Sequence, residues 1–116
     1  MTEFTTHLND VFQHFGPIHT KRMFGGYGVY YQELMFGLVA NDVLYLKADT
    51  ESAGLFEQLG LTRFEYTKQG KTMSMSYYMA PEEIYDDADM ARIWAVRACE
   101  AALRSRKIVS RSKKKK

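Results

Sequence analysis

Residues 22–48 read RMFGGYGVYYQELMFGLVANDVLYLKA, a stretch rich in aromatic and β-branched residues. Two polar pairs, Gln32-Glu33 and Asn41-Asp42, divide it into three apolar segments. Short polar pairs between apolar runs are typical of the turns that close β-hairpins. The stretch therefore predicts an antiparallel meander of three strands. Their expected limits are 22–31, 34–40 and 43–48.

A second hairpin is expected later in the chain. Segments 63–68 and 71–78 flank Gln69-Gly70, a dipeptide suited to a tight turn. In the second segment large side chains alternate with small hydroxyl side chains, which indicates a strand with one covered face. The large residues are Met73, Met75 and Tyr77.

Two amphipathic helices are predicted before and between these hairpins. The first has apolar residues at helical spacing and ends at Gly16-Pro17, because proline cannot continue a helix. The second spans 51–59, with Thr50 as its N-cap and Gly60 as its stop. The residues expected to face the core are Phe4, Leu8, Val11, Phe12 and Phe15 in the first helix and Leu55, Phe56 and Leu59 in the second.

A third, longer helix is predicted near the C-terminus. Pro81-Glu82-Glu83 suits a first turn, and the acidic residues within 86–89 favour an N-terminal end through the helix dipole. We expect Trp94 to be buried on the sheet against the large residues of 71–78. The other core residues are Met90, Ile93, Ala98, Ala101 and Ala102.

The predicted element order is helix, three strands, helix, two strands, helix. Adjacent hairpins favour a single, largely antiparallel sheet, and amphipathic helices need an apolar surface to cover. We therefore expect an α+β fold of two layers, with the helices on one face of the sheet.

The chain has 116 residues and a formal net charge of +2, which conceals an uneven distribution. Residues 1–103 hold eight Lys or Arg and all fourteen Asp and Glu, a net charge of −6. Residues 104–116 hold eight Lys or Arg and no acid. We expect a folded domain over 1–104 and a flexible basic tail over 105–116. The first twenty residues contain no continuous apolar run, so we expect no signal peptide, no membrane span and a cytoplasmic protein.

Three glycines lie within residues 25–28. A phosphate-binding glycine loop opens a helix, whereas residues 29–31 continue as a strand. Glycines in a strand mark a bulge, a sharp bend or the close approach of another element. We expect Gly26 or Gly28 to have a backbone conformation that excludes side chains, including a positive φ at Gly28. The adjacent Lys21-Arg22 pair could bind an anion or an acidic partner.

No catalytic or metal-binding set is recognisable. His7, His14 and His19 share no short ligand spacing, and Cys99 has no second cysteine. The strand serines occur without the sequence of a nucleophile elbow. We therefore expect no metal, no cofactor and no enzymatic activity.

Four blocks of sequence carry a resemblance to a known family. They are KRMFGGYGVY at 21–30, MFGLVA at 35–40, LYLK at 44–47, and GKTMSMSYY at 70–78 with PEE at 81–83. In this order they resemble the N-terminal domain of the TfoX/Sxy family of competence regulators. The resemblance covers roughly 5–104 and implies a bacterial α/β sandwich-like domain, similar to the secretion-chaperone-like fold.

The resemblance also implies a function. Members of the family are non-enzymatic regulators that help the cyclic-AMP receptor protein, a transcription factor, act at promoters of DNA-uptake genes. Full-length members carry a further, helical C-terminal domain, to which no segment of this sequence corresponds. The family pattern supplies no catalytic residues. The positions that match it, and are candidates for interaction, are Arg22, Phe24, Gly25, Gly26, Gly28, Lys71, Ser74, Tyr77 and Tyr78.

Two alternatives stay open. One is a stand-alone nucleic-acid-binding protein that uses the basic tail for phosphates and exposed tyrosines for stacking. The other is a chaperone-like homodimer, suggested by fold analogy. The nucleic-acid candidates are Arg104, Arg106, Lys107, Arg111, Lys113, Lys114, Lys115 and Lys116.

Overall fold

A computed structural model describes residues 3–23 and 25–114, without the side chains of 68, 73, 74 and 107–114. Within these residues, six strands form one antiparallel sheet in the order β1-β2-β3-β4-β6-β5. A short 3₁₀ helix, Glu82–Tyr85, precedes the last helix. The helices are α1 Glu3–Val11, α2 Ala53–Gln58 and α3 Ala88–Lys114, and the strands are β1 His19–Met23, β2 Gly26–Tyr31, β3 Leu34–Ala40, β4 Val43–Lys47, β5 Arg63–Lys68 and β6 Lys71–Met79. The α+β class is confirmed.

The expected hairpin turns are confirmed. Asn41 and Asp42 have φ angles of +52° and +59°, and Gln69 and Gly70 have +53° and +78°. Positive φ at both central residues gives a turn whose twist matches that of the flanking strands. The register follows from these turns, with Ala40 opposite Val43 and Lys68 opposite Lys71.

The predicted strand over 22–31 is wrong, because this segment contains a turn. The turn passes through Gly25, which has a φ of +76°, and separates β1 from β2. Four strands therefore precede α2. No polar pair marks this turn, and apolar residues continue on both sides of it, so its sequence pattern matches that of one long strand. Phe24 lies outside the described residues.

The structure confirms that neighbouring atoms closely approach Gly26 and Gly28. This contact excludes side chains at the two positions, whereas the expected positive φ at Gly28 is wrong. A Cβ atom on Gly26 would lie 2.0 Å from the carbonyl oxygen of Val39 on the neighbouring strand. One on Gly28 would lie 2.8 Å from Met23 Sδ and 2.9 Å from Tyr30 Cε1. The positive φ belongs to Gly25 instead.

The three helices pack on one face of the sheet, as expected. The Phe56 ring of α2 lies 5.2 Å from the ring of Tyr78 and 5.0 Å from that of Trp94, measured between centroids. Trp94 is only 3% exposed, so its predicted burial is confirmed. Its predicted neighbours are wrong, because strand alternation directs Met75 and Tyr77 to the opposite face.

The predictions for α2 are partly wrong. The helix begins at Ala53, after Ser52, so Thr50 is not its N-cap. Phe56 is buried, whereas Leu55 and Leu59 are 37% and 55% exposed. Because α2 has only six residues, it turns few positions toward the core. Gly60, with a φ of +74°, follows the end of this helix as expected.

The last helix continues into the segment for which the sequence predicts a flexible tail. Its backbone passes through residue 104 and continues to Lys114, a length of 27 residues or about 40 Å. Its inward face is buried as far as Ala102, and Leu103 is exposed. No helix among the described residues is both long enough and apolar enough to cross a membrane.

Substitutions of two glycines by alanine should change stability in opposite directions. Gly26→Ala should lower the free energy of unfolding by about 2 kcal/mol, because the new methyl group collides with a backbone carbonyl that cannot rotate away. Gly54→Ala, in α2 with open space around it, should raise it by about 0.5–1 kcal/mol. Urea unfolding of both variants tests this. Equal effects of the two substitutions would contradict it.

Candidate functional site

The side of the sheet turned away from the helices is a candidate interaction surface, which we call the open face. Its side chains alternate along each strand with those of the helix-covered core. The register places Leu38 between Gly28 and Tyr45, and Lys47 opposite Tyr77. The open face includes His19, Lys21, Met23, Gly28, Tyr30, Met35, Leu38, Tyr45, Lys47, Phe64, Tyr66, Met75 and Tyr77.

The centre of the open face is packed although no described helix lies over it. Leu38 and Tyr77 are only 7% and 8% exposed. The side chains of Met23, Tyr30 and Met35 converge over Gly28, within 3.3 Å of where a Cβ would stand. The missing side chain of Gly28 therefore lets its neighbours close over this part of the sheet.

An apolar cavity of about 60 Å³ opens on this face. It lies where the β2 and β3 strands face the edge strand β5, so the sheet curls around it. Its side-chain lining is almost entirely thioether, aliphatic and aromatic, and includes Met23, Met35, Leu38, Phe64, Tyr66 and Met75. Such a lining offers van der Waals contact and few hydrogen-bonding groups.

Aromatic pairs flank the cavity. The rings of Tyr45 and Phe64 meet edge to face with centroids 4.9 Å apart, and those of His19 and Tyr30 stack at 5.3 Å. Burial, and to a smaller extent Tyr30, raises the pKa of Tyr77 to about 12. Tyr77 therefore stays neutral over the physiological range.

Two lysines lie over tyrosine rings of the open face. The Nζ of Lys21 is 5.1 Å from the Tyr30 centroid, and that of Lys47 is 5.1 Å from the Tyr77 centroid. Such cation–π contacts hold the ammonium groups beside the apolar centre. Burial lowers the pKa of Lys47, while the nearby Asp49 carboxylate opposes this shift. Lys47 also donates a hydrogen bond of 2.6 Å to Ser76 Oγ.

The residues predicted from the family pattern do not form one cluster. Gly28 and Tyr77 belong to the open face, and Gly25 and Gly26 form its end at the β1–β2 turn. Arg22, opposite Tyr27, points to the other side of β1, and Lys71 is exposed at the β5–β6 turn. Tyr78 lies in the helix-covered core. Phe24 and the side chain of Ser74 are not among the parts of the chain that the structure describes.

The cavity-lining residues were missed as site residues. Alternation, which predicts one covered face for the strand at 71–78, does not show whether a helix or a binding partner covers that face. The missed residues are Met23, Met35, Leu38, Phe64, Tyr66 and Met75.

A second depression, which we call the charged cleft, lies between the β4–α2 loop, β6 and α3. Its volume is about 450 Å³. At its floor, Tyr78 donates a hydrogen bond of 2.7 Å to Glu57 Oε2, which raises the tyrosine pKa. The Arg63 guanidinium lies 5.8 Å from the Tyr78 centroid.

Arg104 closes one side of the charged cleft. Its Nε and Nη2 donate to the two carboxylate oxygens of Asp49 at 2.5 and 3.0 Å, and its Nε lies 3.1 Å from Glu51. Hydrogen bonding from Arg104 is the largest cause that lowers the pKa of Asp49 to about 2, with further bonds from Ser52. Arg104, expected as a phosphate contact, is thus already paired with two carboxylates.

The other predicted nucleic-acid residues follow Arg104. Arg106 is exposed on α3. Lys107, Arg111, Lys113 and Lys114 belong to the helical backbone, and their side chains lie outside the description. Lys115 and Lys116 lie outside the described residues.

Groups with catalytic potential are few among the described residues. Burial raises the pKa of Cys99 to about 11, which keeps it a thiol at neutral pH. Residues 3–23 and 25–114 contain no cluster of three or more His, Cys, Asp or Glu that could hold a metal ion.

Comparison with known proteins relates the chain to a family and to a curated relative. The family model described as the TfoX N-terminal domain matches residues 10–102. A curated relative, "DNA transformation protein TfoX1" of Aliivibrio fischeri (strain ATCC 700601 / ES114), is 32% identical over 81 residues. The matched region is 66% of this chain and 39% of the relative, so the chain corresponds to less than half of that protein.

Removal of the Arg104 guanidinium should change the acid stability of the protein. Arg104→Met should raise the pKa of Asp49 from about 2 toward its ordinary value of 3.8. A carboxyl group whose folded-state pKa is depressed stabilises the fold above its unfolded pKa and loses that contribution as pH falls through the folded value. The variant should therefore be less stable than wild type by about 1–2 kcal/mol at pH 6, with the difference shrinking between about pH 4 and 2.

Urea unfolding at a series of pH values measures this difference. Arg92→Met, at an exposed position of the same helix, is the control for loss of a positive charge. A difference between wild type and Arg104→Met that stays constant down to pH 2 would contradict the prediction.

Proposed function

The chain belongs to the TfoX N-terminal domain family, and we propose that it acts as a regulatory interaction module in competence for DNA uptake. In this role it binds a transcription factor in the cytoplasm and assists it at promoters, without catalysing a reaction. The cyclic-AMP receptor protein is the candidate partner that the family resemblance supplies.

The open face is the observation that supports this proposal. It joins aromatic, methionine and leucine side chains into one surface that no described helix covers. Tyrosine, phenylalanine and methionine are enriched at the centres of protein interfaces. An apolar patch with positive charges beside it is typical of a surface that binds another macromolecule.

A substitution on the open face should weaken binding of the transcription factor. Tyr45→Asp introduces a charge beside Phe64 and should reduce affinity at least tenfold, as expected for a contact near an interface centre. Leu59→Asp makes an apolar-to-acid change at an exposed helix-side position and should leave affinity unchanged. The measurement is binding of each variant to purified cyclic-AMP receptor protein on promoter DNA, with circular dichroism to check folding. Wild-type protein that neither binds the factor nor raises transcription from the promoter would contradict the proposal.

Nucleic-acid binding is a second candidate function, favoured by the charge of the C-terminal half of α3. Residues 105–116 contain seven Lys or Arg and no acid. Deleting them should flatten the slope of log K against log salt on duplex DNA by about 4 to 5, since about five phosphate contacts would be lost. Replacing only Lys113 to Lys116 by Gln should produce a smaller change. Equal slopes for all three proteins would contradict this candidate function.

A further inference from the structure

We propose that the cavity of the open face is an anchor site for a protein segment in which one bulky apolar residue is flanked by Asp or Glu. The inference rests on the proposed function in taking the partner to be a protein. It adds the chemistry of the segment that this partner presents.

The cavity accounts for the apolar anchor. Its volume of about 60 Å³ admits the end of an apolar side chain, and its walls are hydrocarbon and thioether groups. Three of its lining residues, Met23, Met35 and Met75, are methionines. Methionine side chains are unbranched and flexible, and they repack around inserted groups at adaptable binding surfaces. The cavity is therefore able to widen around a larger side chain.

The lysines account for the acidic flanks. Lys21 and Lys47 lie over Tyr30 and Tyr77, which adjoin the cavity on the open face. No Asp or Glu lies among the described strand positions that form this face, and the Asp49 carboxylate near Lys47 is already paired with Arg104. A partner with carboxylates around its anchor is therefore complementary in charge to the open face. Lys47 is half-buried, so a carboxylate beside it acts in a medium of lower dielectric than water.

The same lining argues against a nucleobase as the anchored group. Every base carries donors and acceptors on its edges, and burying them without partners costs about 1–3 kcal/mol for each group. The cavity walls supply few such partners. In addition, the ammonium groups of Lys21 and Lys47 occupy positions over tyrosine rings that base stacking would require. An apolar amino-acid side chain meets neither obstacle.

Matched peptides test the anchor site. The probe is a ten-residue synthetic peptide with a single Phe between Asp and Glu residues, titrated into the ¹⁵N-labelled full chain and followed by NMR. Comparison probes replace Phe by Ser or all acids by Lys, and a fourth is a ten-nucleotide oligothymidine. The acidic Phe peptide should shift the amide signals of Met23, Met35, Leu38 and Met75. Each altered peptide should bind at least tenfold more weakly.

Two variants of neighbouring residues provide a matched pair. Lys21→Glu reverses a charge on the open face, whereas Arg22→Glu reverses one on the other side of the same strand. Both positions are exposed, so neither change disturbs the core. Lys21→Glu should weaken binding of the acidic Phe peptide at least tenfold, and Arg22→Glu less than twofold.

Several outcomes would overturn the anchor site. The peptide outcomes are the absence of amide shifts with the acidic Phe peptide and equally strong binding of the Ser peptide. Equal effects of the two charge reversals would also overturn it, as would stronger shifts of these amides with the oligothymidine, which would indicate a single-stranded nucleic-acid site. The peptide result is independent of transcription. A protein that activates the promoter but ignores the peptide loses only the anchor site. One that binds the peptide but does not activate the promoter loses only the proposed function.

Discussion

The three described helices of this chain cover only one face of a six-stranded sheet. The packing of the opposite face and its candidate binding site both follow from this constraint. On the covered face, the Phe56 ring packs against the rings of Tyr78 and Trp94 and joins α2, β6 and α3 into a continuous core. Within residues 3–23 and 25–114, no helix covers the opposite face. Because apolar side chains exposed to water cost free energy in proportion to their area, the opposite face has to reduce its exposed surface by other means.

Curvature and side-chain packing reduce the exposed surface of the open face. Glycine at positions 26 and 28 lets the backbone of β3 and the side chains of Met23 and Met35 approach closely. Lysine ammonium groups lie over two of the tyrosine rings. The packing is incomplete and leaves the apolar cavity. A surface that is stable alone, yet gains further burial when a partner fills it, suits reversible binding.

Local signals made most of the fold predictable, and the errors have physical causes. The hairpin turns at residues 32, 41 and 69 were recognisable because a tight turn restricts which residue types can occupy its few central positions. The open face was not recognisable as a site, because both faces of the sheet are apolar and alternation does not reveal which one the helices cover. Tyr77 and Tyr78 illustrate this, since they are adjacent, alike and on opposite faces. The Arg104–Asp49 pair joins residues 55 positions apart, and no sequence pattern relates them.

Asp49 connects the open face to the basic end of α3. Its carboxylate accepts two hydrogen bonds from Arg104 and is close enough to Lys47 to oppose the lowering of that lysine's pKa by burial. The contact between Asp49 and Arg104 holds α3 in place at the residue where its basic segment begins. This contact lies close to Lys47, at the edge of the open face. A protein held at Lys47 and a nucleic acid held by the residues after Arg104 would meet at this corner of the molecule. The two functions that we propose are therefore compatible in one complex, with the open face binding a transcription factor and α3 approaching the promoter to which that factor is bound.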